Sequence, residues 1–183
     1  MDTTIFRALA VLALAALPVT FAAAEGLRPA GYFVQAGAGD DHVQSVTAGL
    51  AWPWSWRSDT LGAETSGLTE ASIGHLSARF GEGRRGFTQI ALVPIVRLRF
   101  AAGRSPWFAE GGIGISMTDQ RFVTERKQFA STFNFVDVIG VGRSFGPRRD
   151  QELSVRLQHV SNAGLRRPNP GQDSIQLRYA ASF

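Results

Sequence analysis

An alternating pattern of apolar and polar side chains runs through QIALVPIVRLRF at residues 89–100. Side chains of a β-strand point alternately to its two faces, so this period of two predicts a strand. One face carries Ile90, Leu92, Val96, Leu98 and Phe100. The other face carries Gln89, Arg97 and Arg99. The segment is therefore predicted to separate an apolar environment from a charged one.

The same period recurs along the chain, most clearly at 107–117, 151–161 and 173–183. We predict eight strands, near 31–38, 43–52, 57–66, 88–100, 106–117, 131–144, 151–162 and 173–183. After a very short first connection, short links (54–56, 101–105, 145–150) alternate with longer ones (67–87, 118–130, 163–172). An even number of strands of about ten residues, with short turns at one end and longer loops at the other, is typical of small transmembrane barrels. We predict an all-β fold, an eight-stranded antiparallel transmembrane β-barrel.

The N-terminal segment predicts export. Arg7 precedes the apolar run 8–19, and Ala22, Ala23 and Ala24 offer small residues for cleavage. This is the pattern of a signal peptide, so we assign residues 1–24 to it and residues 25–183 to the barrel. No second apolar run is long enough for a spanning helix, which excludes a helical membrane protein. The last residue, Phe183, ends an alternating strand, as in bacterial outer-membrane barrels.

The composition agrees with one folded domain. The chain has 183 residues, no cysteine, 44% hydrophobic residues and a formal charge of +4, so it is neither disordered nor built on disulfides. Its 20 glycines suit the narrow interior of an eight-stranded barrel, which we expect to be polar. Tryptophans at 52, 54, 56 and 107 lie near predicted strand ends, where they would form an interfacial girdle.

Three polar residues fall on the apolar face of the last two strands. His159 and Ser161 continue the positions of Leu153, Val155 and Leu157, and Asp173 continues those of Ile175, Leu177 and Tyr179. Polar groups that face lipid need partners, so these three call for a joint explanation. In an antiparallel hairpin they lie within reach of one another. An acid that orients a histidine, which deprotonates a serine, is the arrangement used for acyl transfer.

The sequence around this site resembles that of the lipid A 3-O-deacylase family of outer-membrane esterases. The matching residues are His159, Ser161, Asn162, Ala163, Asn169 and an acid twelve positions after the serine, Asp173. The resemblance implies hydrolysis of the ester-linked 3-hydroxyacyl chain at position 3 of lipid A, with lipopolysaccharide in the outer leaflet as substrate and the cell outer membrane as location. It makes His159 the general base, Ser161 the nucleophile and Asp173 the orienting acid. The family's usual acid is glutamate, one methylene longer than Asp173.

The resemblance also implies residues around the triad. Asn169 matches an asparagine of the family's oxyanion hole, with backbone N–H groups near Asn162 and Gly164 as further donors. Phe135 and Asp137 resemble a motif that flanks the family's site. Arg166 and Arg167 are expected either to bind lipid A phosphates or to be solvated loop charges.

No metal or cofactor is expected, because the triad and the donors complete the chemistry. An exported barrel argues against a nucleic-acid partner, and the sequence is compatible with a monomer or a homodimer. Two alternative functions stay open. One is an outer-membrane phospholipase A-like esterase, which needs calcium and a larger barrel. The other is a structural or adhesive barrel without activity.

Overall fold

The computed structural model describes residues 28–183, which form a closed barrel of eight antiparallel strands. The strands are β1 (Gly31–Gly39), β2 (Val43–Thr60), β3 (Ala63–Phe80), β4 (Gly83–Arg99), β5 (Trp107–Thr118), β6 (Phe133–Phe145), β7 (Gln151–Ser161) and β8 (Gln172–Ser182). Pairing of β1 with β8 closes the ring. The predicted fold class is confirmed. The signal peptide predicted over residues 1–24 lies outside the described range.

Strands β2 to β4 differ from the sequence prediction. The Trp54–Trp56 segment is no turn, because β2 continues through a bulge between Pro53 and Arg57. Likewise, the predicted loop 67–87 consists of strands joined by a turn at 81–82. Trp54 therefore lies within a strand, where its indole Nε1 donates to Thr69 Oγ1 at 3.0 Å. The prediction that Trp52, Trp54 and Trp56 all lie at strand ends was wrong.

The two ends of the barrel are unlike each other. At one end, here called the turn end, connections span 61–62, 100–106 and 146–150. At the other, the loop end, they are the 3-10 turn Asp40–His42, the turn 81–82, and two longer loops at 119–132 and 162–171. The two longest connections lie at the loop end, as expected for such a barrel, but the connections 40–42 and 81–82 at that end are short turns.

The outer wall is apolar and the interior is charged. Exposed side chains on the wall include Ile90, Leu92, Ile115, Ile139, Val141, Leu153, Val155, Ile175 and Leu177. Inside, the Arg156 guanidinium binds Glu70 and Glu110 at 2.7 Å each, and Arg178 binds Glu70 at 2.6 Å. Buried charges are tolerated when they are paired and hydrogen-bonded. The predicted polar core is present. Among residues 28–183, no helix is long and apolar enough to cross a membrane.

The loop 119–132 folds into the mouth of the barrel at the loop end. Its side chains Phe122 and Phe129 are buried against Val43, Ala78 and Phe87. The rings of Phe87 and Phe122 lie 4.8 Å apart. Burial of two aromatic rings anchors this loop by several kcal/mol, at about 1.5–3 kcal/mol for each fully buried ring. The anchored loop lies beside the loop 162–171 and contacts it, as described below.

Candidate active site

A row of three polar residues crosses strands β6, β7 and β8 on the outer wall. Asp137 is paired with His159 in the register of β6 and β7, and His159 is paired with Asp173 in that of β7 and β8. All three have the parity of exposed apolar residues on their own strands, such as Ile139, Val155 and Ile175. The imidazole therefore lies between two carboxylates on the outside of the barrel.

The pair of His159 and Asp173 is in direct contact. His159 Nδ1 lies 2.6 Å from Asp173 Oδ1, and both side chains are partly buried, at 20% and 28% exposure. Residues directly opposite each other on adjacent strands have Cβ atoms about 4.5–5.5 Å apart, so a short aspartate reaches the ring. A carboxylate only accepts hydrogen bonds, so the neutral imidazole carries its proton on Nδ1 and its lone pair on Nε2.

Ser161 is two residues from His159 on β7 and faces the same side of the strand. Two residues along a strand span about 6.6 Å between Cα atoms. Ser161 is paired with Phe135 of β6, one row nearer the loop end than Asp137 and His159. The strand thus places the hydroxyl on the wall beside the ring, at the point where β7 enters the loop 162–171.

Gly171 lies directly against the imidazole. It has a φ of +70°, and a Cβ atom added to it would stand 2.8 Å from His159 Cε1. Only glycine combines this backbone conformation with so close an approach. The ring is therefore confined on one side by the Gly171 backbone and held at Nδ1 by Asp173.

Asn162 organises the loop 162–171 from its first position. The residue is 1% exposed, and its side-chain amide donates to Ser131 Oγ at 3.1 Å and to the Arg166 carbonyl at 2.9 Å. Its Oδ1 accepts from Gly164 N–H, and its own backbone N–H donates to Asn169 Oδ1, each at 3.0 Å. The backbone N–H groups of Asn162 and Gly164, expected as oxyanion donors, are thus already donating to side-chain oxygens.

The other predicted residues lie around this centre. Arg166 and Arg167 are exposed on the loop 162–171. Within residues 28–183, no group of three or more His, Asp or Glu side chains is arranged to hold a metal ion. A cavity of about 50 Å³ exists inside the barrel, but it is lined by inward-facing residues such as Gln35, Gln158 and Asn134, not by the triad candidates. The candidate site is therefore a feature of the outer wall.

Two residues of the site, Asp137 and Gly171, were not assigned a catalytic or binding role from the sequence. Asp137 breaks the apolar face of β6 just as His159 breaks that of β7, but the register that places it beside His159 is a property of the fold. Gly171 follows Pro170 in a polar segment, where glycine is typical of any turn. Only its contact with the imidazole distinguishes it.

The fold and site together define a membrane-spanning β-barrel with a histidine–carboxylate pair and a serine on its lipid-facing wall. The family model for lipid A 3-O-deacylase (PagL) matches residues 45–182. The lipid A deacylase PagL of Pseudomonas aeruginosa is 34% identical over 133 residues, covering 72% of this chain and 73% of the relative. That of Bordetella bronchiseptica is 31% identical over 146 residues, covering 78% of each.

A solved structure gives the same result. The crystal structure of the outer membrane enzyme PagL superposes with a TM-score of 0.73 at 30% identity, covering 84% of this chain and all of that one. The chain belongs to the lipid A 3-O-deacylase (PagL) family, whose members are enzymes of the outer membrane.

Proposed function

We propose that this chain hydrolyses the ester that links a 3-hydroxyacyl chain to position 3 of lipid A, with Ser161 as nucleophile, His159 as general base and Asp173 as the acid that orients it. The observation that carries the mechanism is the 2.6 Å contact between His159 Nδ1 and Asp173 Oδ1 on the same wall as Ser161. The substrate follows from the relatives, which are named lipid A deacylases.

The reaction needs two acyl transfers. Nε2 of His159 takes the proton of Ser161 Oγ as the oxygen attacks the ester carbonyl carbon. The tetrahedral intermediate then expels the sugar oxygen, which receives that proton from His159, and the acyl group stays on Ser161. Water attacks this acyl-enzyme while His159 accepts one of its protons. The second tetrahedral intermediate then expels Ser161 Oγ, which receives that proton from His159, and the 3-hydroxy fatty acid leaves. Asp173 keeps the ring in the tautomer that both steps require.

The loop 162–171 supplies the oxyanion donor in this proposal. Asn169 uses its Oδ1 to accept from Asn162 N–H, which directs its amide NH₂ group away from that bond. This NH₂ group is the donor we assign to the oxyanion. The backbone N–H groups of Asn162 and Gly164 join it only if the loop releases their present bonds when substrate binds. Donors of this kind are worth about 2.7–4 kcal/mol of transition-state stabilisation each.

The location of the site explains how the substrate reaches it. With the loop end facing outward, Ser161 lies at the level of the outer leaflet, so an acyl ester reaches it laterally from the lipid phase. Arg166 and Arg167 then lie above the site, where they would bind the lipid A phosphates bidentately. Replacing both by Gln is expected to raise KM and to leave kcat unchanged. An unchanged KM would identify them as solvated charges.

The test of the substrate is mass spectrometry of lipid A incubated with the purified chain in detergent. Loss of one 3-hydroxyacyl group is the expected result. Release of fatty acid from phospholipid, with lipid A intact, would favour the phospholipase alternative, and no release from either substrate would favour a structural barrel. Repeating the reaction in chelator checks for a calcium requirement, since the proposed mechanism uses no metal.

A further inference from the structure

Lys127, on the loop 119–132, reaches across the loop end to Gly171, the last residue of the loop 162–171. Its Nζ donates to the Gly171 carbonyl at 2.9 Å and to Asp40 Oδ2 at 3.1 Å. The side chain is 19% exposed, although lysine on a polar loop is ordinarily a solvated residue. Lys127 thus links the loop 119–132 to Asp40 and to Gly171. Gly171 is the residue that lies against the His159 ring.

A built turn directs Lys127 to this position. Thr124 Oγ1 donates to Asp41 Oδ2 at 2.6 Å and accepts from the backbone N–H groups of Arg126 and Lys127 at 3.2 and 2.9 Å. Thr124 and Asp41 are both buried. The turn at 124–127 is therefore hydrogen-bonded to the 3-10 turn that follows β1. This anchor holds the Lys127 ammonium group next to the Gly171 carbonyl.

The same loop contacts the rest of the loop 162–171. Ala130 N–H donates to the Pro168 carbonyl at 3.1 Å, and Ser131 Oγ accepts from the Asn162 amide at 3.1 Å. Next to Gly171, the Gln172 side chain donates to the Asp40 carbonyl at 3.1 Å. Hydrogen bonds thus hold both ends of the loop 162–171. Among these bonds, the one from Lys127 is accepted by Gly171, the residue that packs against the imidazole.

We propose that Lys127 is a positioning residue for the reaction: it fixes Gly171, and through Gly171 it fixes the His159 imidazole in the orientation in which Asp173 holds Nδ1. This inference rests on the proposed role of His159 as general base. It needs no direct contact between Lys127 and the substrate. Without the bond from Lys127, the Gly171 carbonyl loses its donor and the glycine backbone is free to move away from the ring.

The test compares Lys127→Met with Arg121→Met, a matched loss of one cation from an exposed position of the same loop. Lys127→Met is expected to lower kcat by about 10- to 100-fold, the range that small misplacements of a catalytic group produce. KM should stay unchanged. Arg121→Met should keep the original kcat. Lys127→Arg, which retains the charge and the donors, should recover most of the lost turnover.

A second readout reports on the ring itself. The chain has three histidines, so NMR of imidazole-labelled protein in micelles resolves the Nδ1 proton held by Asp173. This resonance is expected to broaden or disappear in Lys127→Met and to persist in Arg121→Met. If Lys127→Met does not fold, Thr124→Val displaces the same turn with Lys127 intact, and it should lower kcat in the same way.

The outcomes separate this inference from the proposed function. Original kcat and an unchanged Nδ1 proton in Lys127→Met, alongside an inactive Ser161→Ala, would overturn the role of Lys127 and leave the mechanism standing. A fully active Ser161→Ala would overturn the mechanism itself. An equal loss of kcat in Lys127→Met and Arg121→Met would show an effect of net charge and also contradict the positioning role.

Discussion

His159 and Asp173 are direct cross-strand partners, with Nδ1 of the imidazole 2.6 Å from Oδ1 of the carboxylate. Two strands that pair in register place both groups, so a short aspartate makes the contact with the imidazole that the resemblance assigns to a glutamate. The longer side chain is not needed, because residues opposite each other on adjacent strands already have closely spaced Cβ atoms.

The first prediction concerns this pair. Asp173→Asn should lower kcat by about 10³- to 10⁴-fold, because the amide favours the wrong imidazole tautomer. Asp173→Glu should retain most of the activity, since its carboxylate is the one the resemblance assigns to the family. Steady-state deacylation by variants with the heat-modifiable gel mobility of a folded barrel is the measurement. Full turnover by Asp173→Ala would show that another residue, with Asp137 the nearest candidate, orients His159.

The second prediction concerns Gly171. Gly171→Ala should lower kcat, because its Cβ would stand 2.8 Å from His159 Cε1 and displace the ring. The matched control is Gly81→Ala. Gly81 has a φ of +60°, so alanine suffers similar backbone strain there, but its Cβ would have no neighbour within 4 Å. Equal kcat losses in the two variants would mean that backbone strain, and not contact with the ring, causes the effect.

Several features of the fold depend on the local alternation of side chains and could be predicted from the sequence. Alternation predicted eight strands and placed His159, Ser161 and Asp173 on one wall, because burial on one side of a sheet imposes a period of two. The alternation did not predict the correct strand bounds between residues 53 and 87. The sequence predicted a short link at 54–56, whereas a bulge between Pro53 and Arg57 carries β2 through this segment. In β3 the outward positions that include Ile73 also carry Thr69, His75 and Ser77, so the apolar face is interrupted.

The contacts that organise the site were beyond sequence reasoning. Asn162 matched the resemblance as an oxyanion residue, but its four hydrogen bonds to the loops depend on tertiary placement. Lys127 is one cation in a polar loop, and nothing local distinguishes it from Arg126. Its bond to Gly171 joins residues 44 positions apart, which only the closed barrel brings together.

The third prediction concerns Asn162. Asn162→Ala should loosen the loop 162–171, because the Ser131 hydroxyl, the Arg166 carbonyl and the Gly164 N–H each lose a hydrogen bond to the Asn162 side chain. Each lost bond is expected to cost about 0.5–1.5 kcal/mol. Asn162→Asp keeps the acceptor for Gly164 N–H but loses both donations from the amide NH₂. We expect hydrogen exchange across the loop to increase more in the alanine variant than in the aspartate variant. Unchanged exchange in both would contradict the central place of Asn162 in the loop.

The fourth prediction is a pH dependence at the base of the loop 119–132. Burial opposes ionisation of Asp41, but hydrogen bonds from Thr124 and Arg126 and the charges of Arg126 and Lys127 outweigh it, so the pKa of Asp41 is lowered. Ionised Asp41 therefore stabilises the folded loop at any pH above its pKa in the unfolded chain, about 3.9. This stabilisation is lost as the pH falls through the lower pKa of Asp41 in the folded chain.

Hydrogen exchange of the Arg126 and Lys127 amides checks this dependence. Asp41→Asn should exchange faster than the original chain at pH 7. The difference should begin to shrink as the pH falls below about 4, where the Asp41 carboxyl of the opened turn takes up a proton, and it should vanish below the lowered pKa of the folded turn. A difference that stays constant from pH 7 to the acid limit would mean that the charge of Asp41 does not hold the turn.

The fifth prediction addresses the central claim, that Ser161 on the outer wall is the nucleophile. The measurement is mass spectrometry of lipid A treated with the original chain or with Ser161→Ala, both shown to be folded by heat-modifiable mobility. We predict that the original chain removes one 3-hydroxyacyl group and that Ser161→Ala is slower by at least about 10³-fold, as expected when a nucleophile is lost. Continued removal of that acyl group by Ser161→Ala at the original rate would contradict the account.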